Sequence, residues 1–269
     1  MIEDNESVKV TMKHIPLGIT AAICPWNFPL AIAMNKIGPT LVTGSCIIVK
    51  PSPFTPYSIL KLCEIAQPFL PPGVFQALNG DDTLGPLITE HPGIQKISFT
   101  GSSATGKRVM MSAARTLKVV TLELGGNSAT IVCPDVDVKK VAPSVAIGAF
   151  FNSGQLCVAT KRLYVHKDIY KELLEEIVKV VKSWSVGPTT DEAERMLGPV
   201  QNGMQYAIVK SFFEDCASQG YEFALPGDVG KGENFVIQPA IIENPPDSAK
   251  IVREEQFGRT FLDCTAALF

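Results

Sequence analysis

Residues 19–50 read ITAAICPWNFPLAIAMNKIGPTLVTGSCIIVK. The apolar run 19–24 is a buried strand, and Pro25-Trp26-Asn27-Phe28-Pro29 ends it abruptly, because two prolines fix the turn and remove backbone donors. Residues 30–41 carry helical spacing, and 45–49 form a second short apolar strand closed by Lys50-Pro51-Ser52-Pro53. Strand, loop, helix, strand is the unit from which parallel sheets are built.

The rhythm continues outward. Residues 57–69 are helical until Pro71-Pro72-Gly73, 74–78 is a third strand, and a helix starts near Thr83. Residues 94–99 form a fourth strand, 101–106 a glycine-bounded loop, 107–115 a helix and 119–124 a closing strand. Beyond Gly125-Gly126 come a strand at 129–132, an apolar helix at 137–151, a strand at 163–166, a charged amphipathic helix at 167–182, a loop at 186–198, a helix at 204–218 and a strand at 235–242. Such alternation predicts α/β units with ligands at the carboxyl ends of the strands. A boundary at Gly125-Gly126 divides residues 1–124 from 125–269. Upstream, residues 7–14 alternate with period two, as an edge strand or interface arm does.

The 269 residues are enough for one large or two moderate domains at roughly 150 residues each. With 46% hydrophobic and 19% charged residues and a net charge of −3, the chain is an ordinary globular one, without the basic footprint of a nucleic-acid or membrane-surface binder. No apolar run is long enough to span a membrane. The first residues lack a secretory or transit signal, so the expected location is the cytoplasm. Seven cysteines, at 24, 46, 63, 133, 157, 216 and 264, show no close pairs or metal spacing and read as reduced thiols. His14, His91 and His166 are scattered, which leaves little support for a zinc site or a Cys-His protease.

Several positions carry possible chemistry. Residues 150–162, FFNSGQLCVATKR, set Cys157 among glycine and polar residues where a core segment would carry apolar bulk. It is either a presented nucleophilic thiol or a small buried hydrophobe. Gly101 to Lys107 matches most of a phosphate-binding P-loop, but Arg108 stands where a magnesium-binding Ser or Thr is needed. What remains is a loop whose backbone and Ser102 hydroxyl could meet a phosphate at a helix start, or a plain turn. Lys50, at a strand end, is a ribose or phosphate ligand or a solvated lysine. Asn27, between two prolines, is a rigid oxyanion donor or a turn former. Glu123, in an apolar strand end, is a base with a burial-raised pKa or the partner of a nearby lysine.

Taken together these residues resemble the aldehyde dehydrogenase superfamily. Pro25-Trp26-Asn27-Phe28-Pro29, Lys50-Pro51-Ser52, Phe99-Thr100-Gly101-Ser102 with Gly106, Leu122-Glu123-Leu124-Gly125-Gly126, Gly154-Gln155-x-Cys157 and Glu254-Glu255-x-Phe257-Gly258 stand in the family's order. The resemblance implies a Rossmann-like parallel-sheet cofactor domain plus an α/β catalytic domain. It also implies oxidation of a small-molecule aldehyde by NAD or NADP through a thioester on Cys157. Asn27 and the Cys157 N–H would hold the oxyanion, and Glu123 would activate water. Lys50 and Glu255 would bind the two riboses, Gly101, Ser102 and Gly106 would form the pyrophosphate loop, and Trp26 and Phe257 would line the cofactor cleft. Lys36 would tune the electrostatics, and the arm near residues 7–14 would serve a homo-oligomer.

Three departures accompany the likeness. Pro53 replaces the glutamate that follows Lys-Pro-Ser in many NAD-preferring members, which leaves NADP open. The family's N-terminal segment does not precede the arm, and residues 259–269 form an atypical tail. Both domains are therefore expected to be incomplete, with an inactive truncated fragment or an interaction-only product as the alternative.

Overall fold

A computed structural model describes residues 3–4, 7–189, 193–230, 232–258 and 260–266. The chain forms two compact units, 1–124 and 125–269.

The first unit opens with two short strands, β1 (Glu3–Asp4) and β2 (Lys9–Val10), paired antiparallel with each other. The alternation over residues 7–14 thus yields only two paired residues. Val8, Val10 and Met12 stay exposed, with no sheet face of their own unit to cover them. There follow β3 (Ile19–Ile23), α1 (Pro29–Val42), β4 (Cys46–Lys50), α2 (Tyr57–Ala66), β5 (Phe75–Ala77), α3 (Leu84–Glu90), β6 (Lys96–Thr100), α4 (Ser103–Ala114) and β7 (Val119–Glu123). The five strands β3 to β7 are all parallel, in the order β5-β4-β3-β6-β7.

Because side chains alternate along a strand, β3 feeds two cores. Ala22 packs with Ala33, Ile37, Ile47 and Val49 on the α1 and α2 face. Ala21 packs with Ile88, Ile97, Phe99 and Val109 on the α3 and α4 face. Strand order reverses between β3 and β6, and at such a reversal the helices diverge and leave a crevice beyond the strands' carboxyl ends.

One expected boundary moves. Helix α4 begins at Ser103, four residues earlier than the sequence suggests, because Ser102 is its N-cap, with Oγ accepting from Thr105 N at 3.2 Å. Gly106 therefore lies inside the helix, not in a loop. A Cβ there would sit 2.5 Å from Leu124, so its glycine lets the helix approach the end of β7.

The second unit comprises β8 (Ala129–Val132), α5 (Val138–Phe150), β9 (Arg162–His166), α6 (Tyr170–Lys182), α7 (Gly203–Ser218), β10 (Glu222–Leu225), β11 (Ala240–Glu243), α8 (Lys250–Arg253) and β12 (Thr260–Ala266). Its sheet runs β10-β11-β12-β9-β8, with β10 antiparallel to β11 and the rest parallel. On α6, Leu173, Leu174, Ile177 and Val181 recur on one face and share a core with Ala142, Ala146 and Ala149 of α5.

One expectation is corrected here, and one segment gains a place in the sheet. The strand expected at 235–242 starts only at Ala240, since Asn234 and Phe235 adopt positive φ (57° and 54°) and Pro239 cannot donate to a central ladder. The residues read as an atypical tail include β12, which pairs on both sides, with β11 and with β9.

Candidate active site

In the first unit, the sequence-predicted residues collect at the carboxyl edge of the sheet. Trp26 and Asn27 lie on the loop after β3, both half-buried, and the Trp26 carbonyl accepts from Thr55 Oγ1 at 3.5 Å. Gly101 and Ser102 follow β6. A Cβ on Gly101 would sit 2.6 Å from the Phe99 ring, so glycine is what lets the chain turn there. The Ser102 hydroxyl caps α4 and also donates to Thr105 Oγ1 at 3.0 Å. Lys107 is exposed, away from the role a P-loop would give it.

Lys50 ends β4 and is only 7% exposed, which removes the solvated-lysine reading. Its Nζ reaches the carbonyls of Pro51 and Gly80, each at 3.5 Å. Burial lowers its pKa, and Asp82 and then Asp81 pull the other way. Lys36, on α1, is likewise buried and donates to Ser98 Oγ at 3.1 Å. Burial depresses its pKa against the pull of Cys24 and Glu123. Glu123 itself is exposed, contrary to the buried carboxylate expected, because it is the last residue of an edge strand. Its carbonyl accepts from Gly101 N at 3.1 Å, which ties the β7 end to the turn after β6.

A pocket of about 590 Å³ opens between α3 and α4 and the ends of β3, β4 and β6. Ile23, Phe99, Pro86 and Val109 give it apolar walls, and Lys50 and Asp82 give it charge. That size and mixture suit a nucleoside: flat apolar walls for a base and hydrogen-bonding groups for a sugar.

In the second unit, the sequence-predicted segments each precede a parallel strand: 125–128 before β8, 157–161 before β9 and 255–258 before β12. Parallel pairing brings all three to the amino edge of that sheet. The amides of Lys161 and Arg162 both donate to Ser128 O at 3.0 Å. Gly154 (φ +72°) packs so closely that a Cβ would collide with the Gly258 carbonyl. A Cβ on Gly125 would strike the Glu255 carboxylate, and the Gly126 N–H donates to that carboxylate. The glycine pair thus forms its seat. Glu255 Oε1 is buried and accepts no hydrogen bond among the described residues, the state of an acceptor suited to a sugar hydroxyl. Phe257 takes a positive φ of 49°. Gln205, 6% exposed, braces this backbone by donating to the Gln256 and Phe257 carbonyls at 2.9 and 3.1 Å.

Cys157 is exposed, as expected of a presented thiol. Its loop is tethered by Gln155, 3% exposed, which donates to Asn152 O at 3.0 Å and accepts from Gln201 N at 2.9 Å. Beneath it lies a residue that was not singled out from the sequence. Lys161 is 1% exposed, its ammonium donates to the Gly154 carbonyl, and it faces both Glu255 and Cys157. The signal was present in the alternation, since Lys161 falls in phase with Leu163 and Val165 on the buried face of β9. Burial also pushes the Glu255 carboxyl up, opposed by the Gly126 amide and by Lys161.

Burial lowers the Lys161 pKa from 10.5 to about 8, with Glu255 and Cys157 opposing. Between those values the unfolded chain holds the proton and the folded chain does not, so stability should rise with pH across that window. The full effect is about 3 kcal/mol. Urea midpoints from pH 7.5 to 10, taken for wild type and Lys161→Met, would show this as a steeper rise for the wild type. Parallel curves would mean that Lys161 keeps its proton when folded.

No helix among the described residues is long and apolar enough to cross a membrane, and no cluster of three or more metal-ligating side chains occurs among them.

A family model described as the aldehyde dehydrogenase family matches residues 1–261. The FUS7 protein of Gibberella moniliformis is 47% identical over 95% of this chain and 53% of its own. The aldehyde dehydrogenase LUC3 of a Fusarium species is 43% identical over 96% of this chain and 54% of its own. Among solved structures, an aldehyde dehydrogenase C variant from Pseudomonas syringae, in complex with NAD+ and octanal, has a TM-score of 0.88 and 33% identity. It covers 93% of this chain, which covers 53% of it. An NADP-dependent enzyme of E. coli has a TM-score of 0.88 and 35% identity, with 93% of this chain and 52% of that one covered. The chain spans about half the length of the curated relatives it matches.

Proposed function

Because this chain belongs to the aldehyde dehydrogenase family, we propose that it serves oxidation of an aldehyde to a carboxylic acid, with NAD or NADP as the hydride acceptor and Cys157 as the nucleophile. The observation that carries this reading is the exposed thiol on a loop braced by the buried Lys161 ammonium, next to the glycine-seated Glu255 carboxylate.

The Cys157 thiolate adds to the carbonyl carbon, forming a C–S bond and moving the C=O π electrons onto oxygen. The Asn27 side-chain amide and the Cys157 backbone N–H would stabilise that oxyanion, a kind of contact typically worth about 3 kcal/mol. When bound, the nicotinamide ring supplies a hydride acceptor. Loss of hydride from the adduct re-forms the carbonyl as a thioester on Cys157. Glu123 then takes a proton from water, hydroxide adds to the thioester, and the C–S bond breaks to return the thiolate and release the acid.

Lys50 and Glu255 would hold the two riboses, in keeping with the burial of one and the open acceptor on the other. Gly101 and the α4 N-terminus capped by Ser102 would face the pyrophosphate, where the positive helix end favours an anion. Gly106 would act through packing inside α4. Trp26 and Phe257 would line the cofactor cleft.

The exposure of Glu123 supports a base with access to water. In rapid-mixing experiments, Glu123→Gln should keep the first burst of reduced cofactor within about threefold while lowering steady-state turnover by roughly 10² to 10³. Equal loss of burst and turnover would remove Glu123 from the deacylation step. If a folded sample shows no aldehyde-dependent reduction across a varied panel, an interaction-only role is the reading that remains.

A further inference from the structure

The pocket between α3 and α4 has one end defined by charge. Lys50, buried at the carboxyl end of β4, and Asp82 line it together, and the Asp82 charge, more than that of Asp81, opposes the lowering of the Lys50 pKa by burial. The two carboxylates are not equivalent. Asp81 Oδ1 already accepts from Thr83 N at 2.9 Å and Thr83 Oγ1 at 2.6 Å, at the start of α3. Those bonds hold its pKa below the ordinary value. Asp82 lines the pocket and makes no hydrogen bond or ion pair of its own among the described residues. Pro53, in the turn after Lys50, offers no carboxylate.

We infer that Asp82 makes this pocket select the nucleotide whose adenosine ribose carries a free 2′-hydroxyl, NAD, over its 2′-phosphorylated counterpart, NADP; the inference rests on the dinucleotide reading above. A vicinal diol both donates and accepts, so it can give hydrogen bonds to a carboxylate and receive them from an ammonium. A phosphate monoester carries about −1.5 to −2 charge near neutrality and is acceptor-rich. Beside Lys50 alone it would be welcome, but next to Asp82 it meets a like charge and a group with no hydrogen to donate.

The other charged groups facing the pocket are Glu90, Arg108 and Arg115. Arg115 is paired with Glu90 at 3.1 Å, and the Arg108 guanidinium donates to Thr105 Oγ1 on its own helix at 3.2 Å. Arg108 is therefore the residue that would favour the phosphate if Asp82 did not decide the matter.

Calorimetric titration with NAD+ and NADP+ tests this without any turnover. Wild type should bind NAD+ at least about tenfold more tightly, and Asp82→Asn and Asp82→Ala should each collapse that ratio by about tenfold, chiefly by tightening NADP+. Asp82 is exposed, so neither variant should disturb folding. Asp81→Asn should leave the ratio within about twofold, because that carboxylate is occupied at the start of α3. A wild-type preference for NADP+, or an unchanged ratio in both Asp82 variants while both nucleotides still bind, overturns the role of Asp82 and leaves the dinucleotide reading standing. Failure of wild type to bind either nucleotide overturns both.

Discussion

Cys157→Ala should lower aldehyde-dependent reduction of the nicotinamide cofactor by a factor on the order of 10⁴ or more, with the chain still folded and still binding dinucleotide. The size follows from the covalent step, since an alanine methyl cannot form the thioester and no other thiol of the second unit is comparably disposed among the described residues. Cys216 is buried, and burial pushes its thiol up to about 11. In the first unit Cys24 also has a lysine neighbour, Lys36, but it is 4% exposed and burial raises its thiol to about 11 despite that cation. Cys133 is exposed like Cys157, yet follows the end of β8, on the opposite edge of the sheet from the braced loop. Cys133→Ala should therefore leave activity unchanged within about twofold. Residual activity above a few per cent in Cys157→Ala, by initial-rate assay, would move the nucleophile elsewhere.

Gly154→Ala should be among the most damaging single-methyl additions in this chain. Two costs combine there. A positive φ of 72° costs a non-glycine residue about 1–2 kcal/mol, and the new Cβ would run into the Gly258 carbonyl, which is backbone and cannot rotate away. Together they amount to about 3 kcal/mol or more. Gly220 separates the two terms, since it has φ +69° with nothing within 4 Å of where a methyl would stand, so Gly220→Ala should lose only about 1 kcal/mol. Denaturant midpoints of both variants measure the difference. Equal losses would mean that Gly154 is not wedged against the 255–258 segment. Because that segment carries Glu255 and Phe257, Gly154→Ala should also weaken dinucleotide binding, whereas Gly220→Ala should not.

The parallel sheet of the first unit was legible in residues 19–50 because its strands are buried on both faces and read as unbroken apolar runs. The exposure of Cys157 was legible in its polar frame, and the strand-end position of Lys50 in the apolar run before it. The burial of Lys50 was not, since that depends on the loop carrying Gly80 closing over it. Glu123 misled for a related reason: an apolar neighbourhood in sequence does not say whether a strand lies at the centre or the edge. Strand β12 was hidden because Thr260, Asp263 and Thr265 interrupt the apolar pattern expected of a central parallel strand. Lys161 does not stand out in the sequence because a lysine beside an arginine reads as solvated until the alternation of β9 is extended back by one residue.

The two sheets also differ in the order in which a ribosome could assemble them. In the first, every strand after β3 pairs with one already synthesised: β4 on β3, β5 on β4, β6 on β3, β7 on β6. In the second, β9 and β11 are both made before β12, and each keeps one bare edge until β12 arrives between them, with Arg162 waiting for Leu262 across most of the unit's length. A sheet closed by a late central strand pays its loop-closure entropy all at once, and its open edges are templates for other chains meanwhile. The unit that holds Cys157 is thus the one that depends most on protection during synthesis.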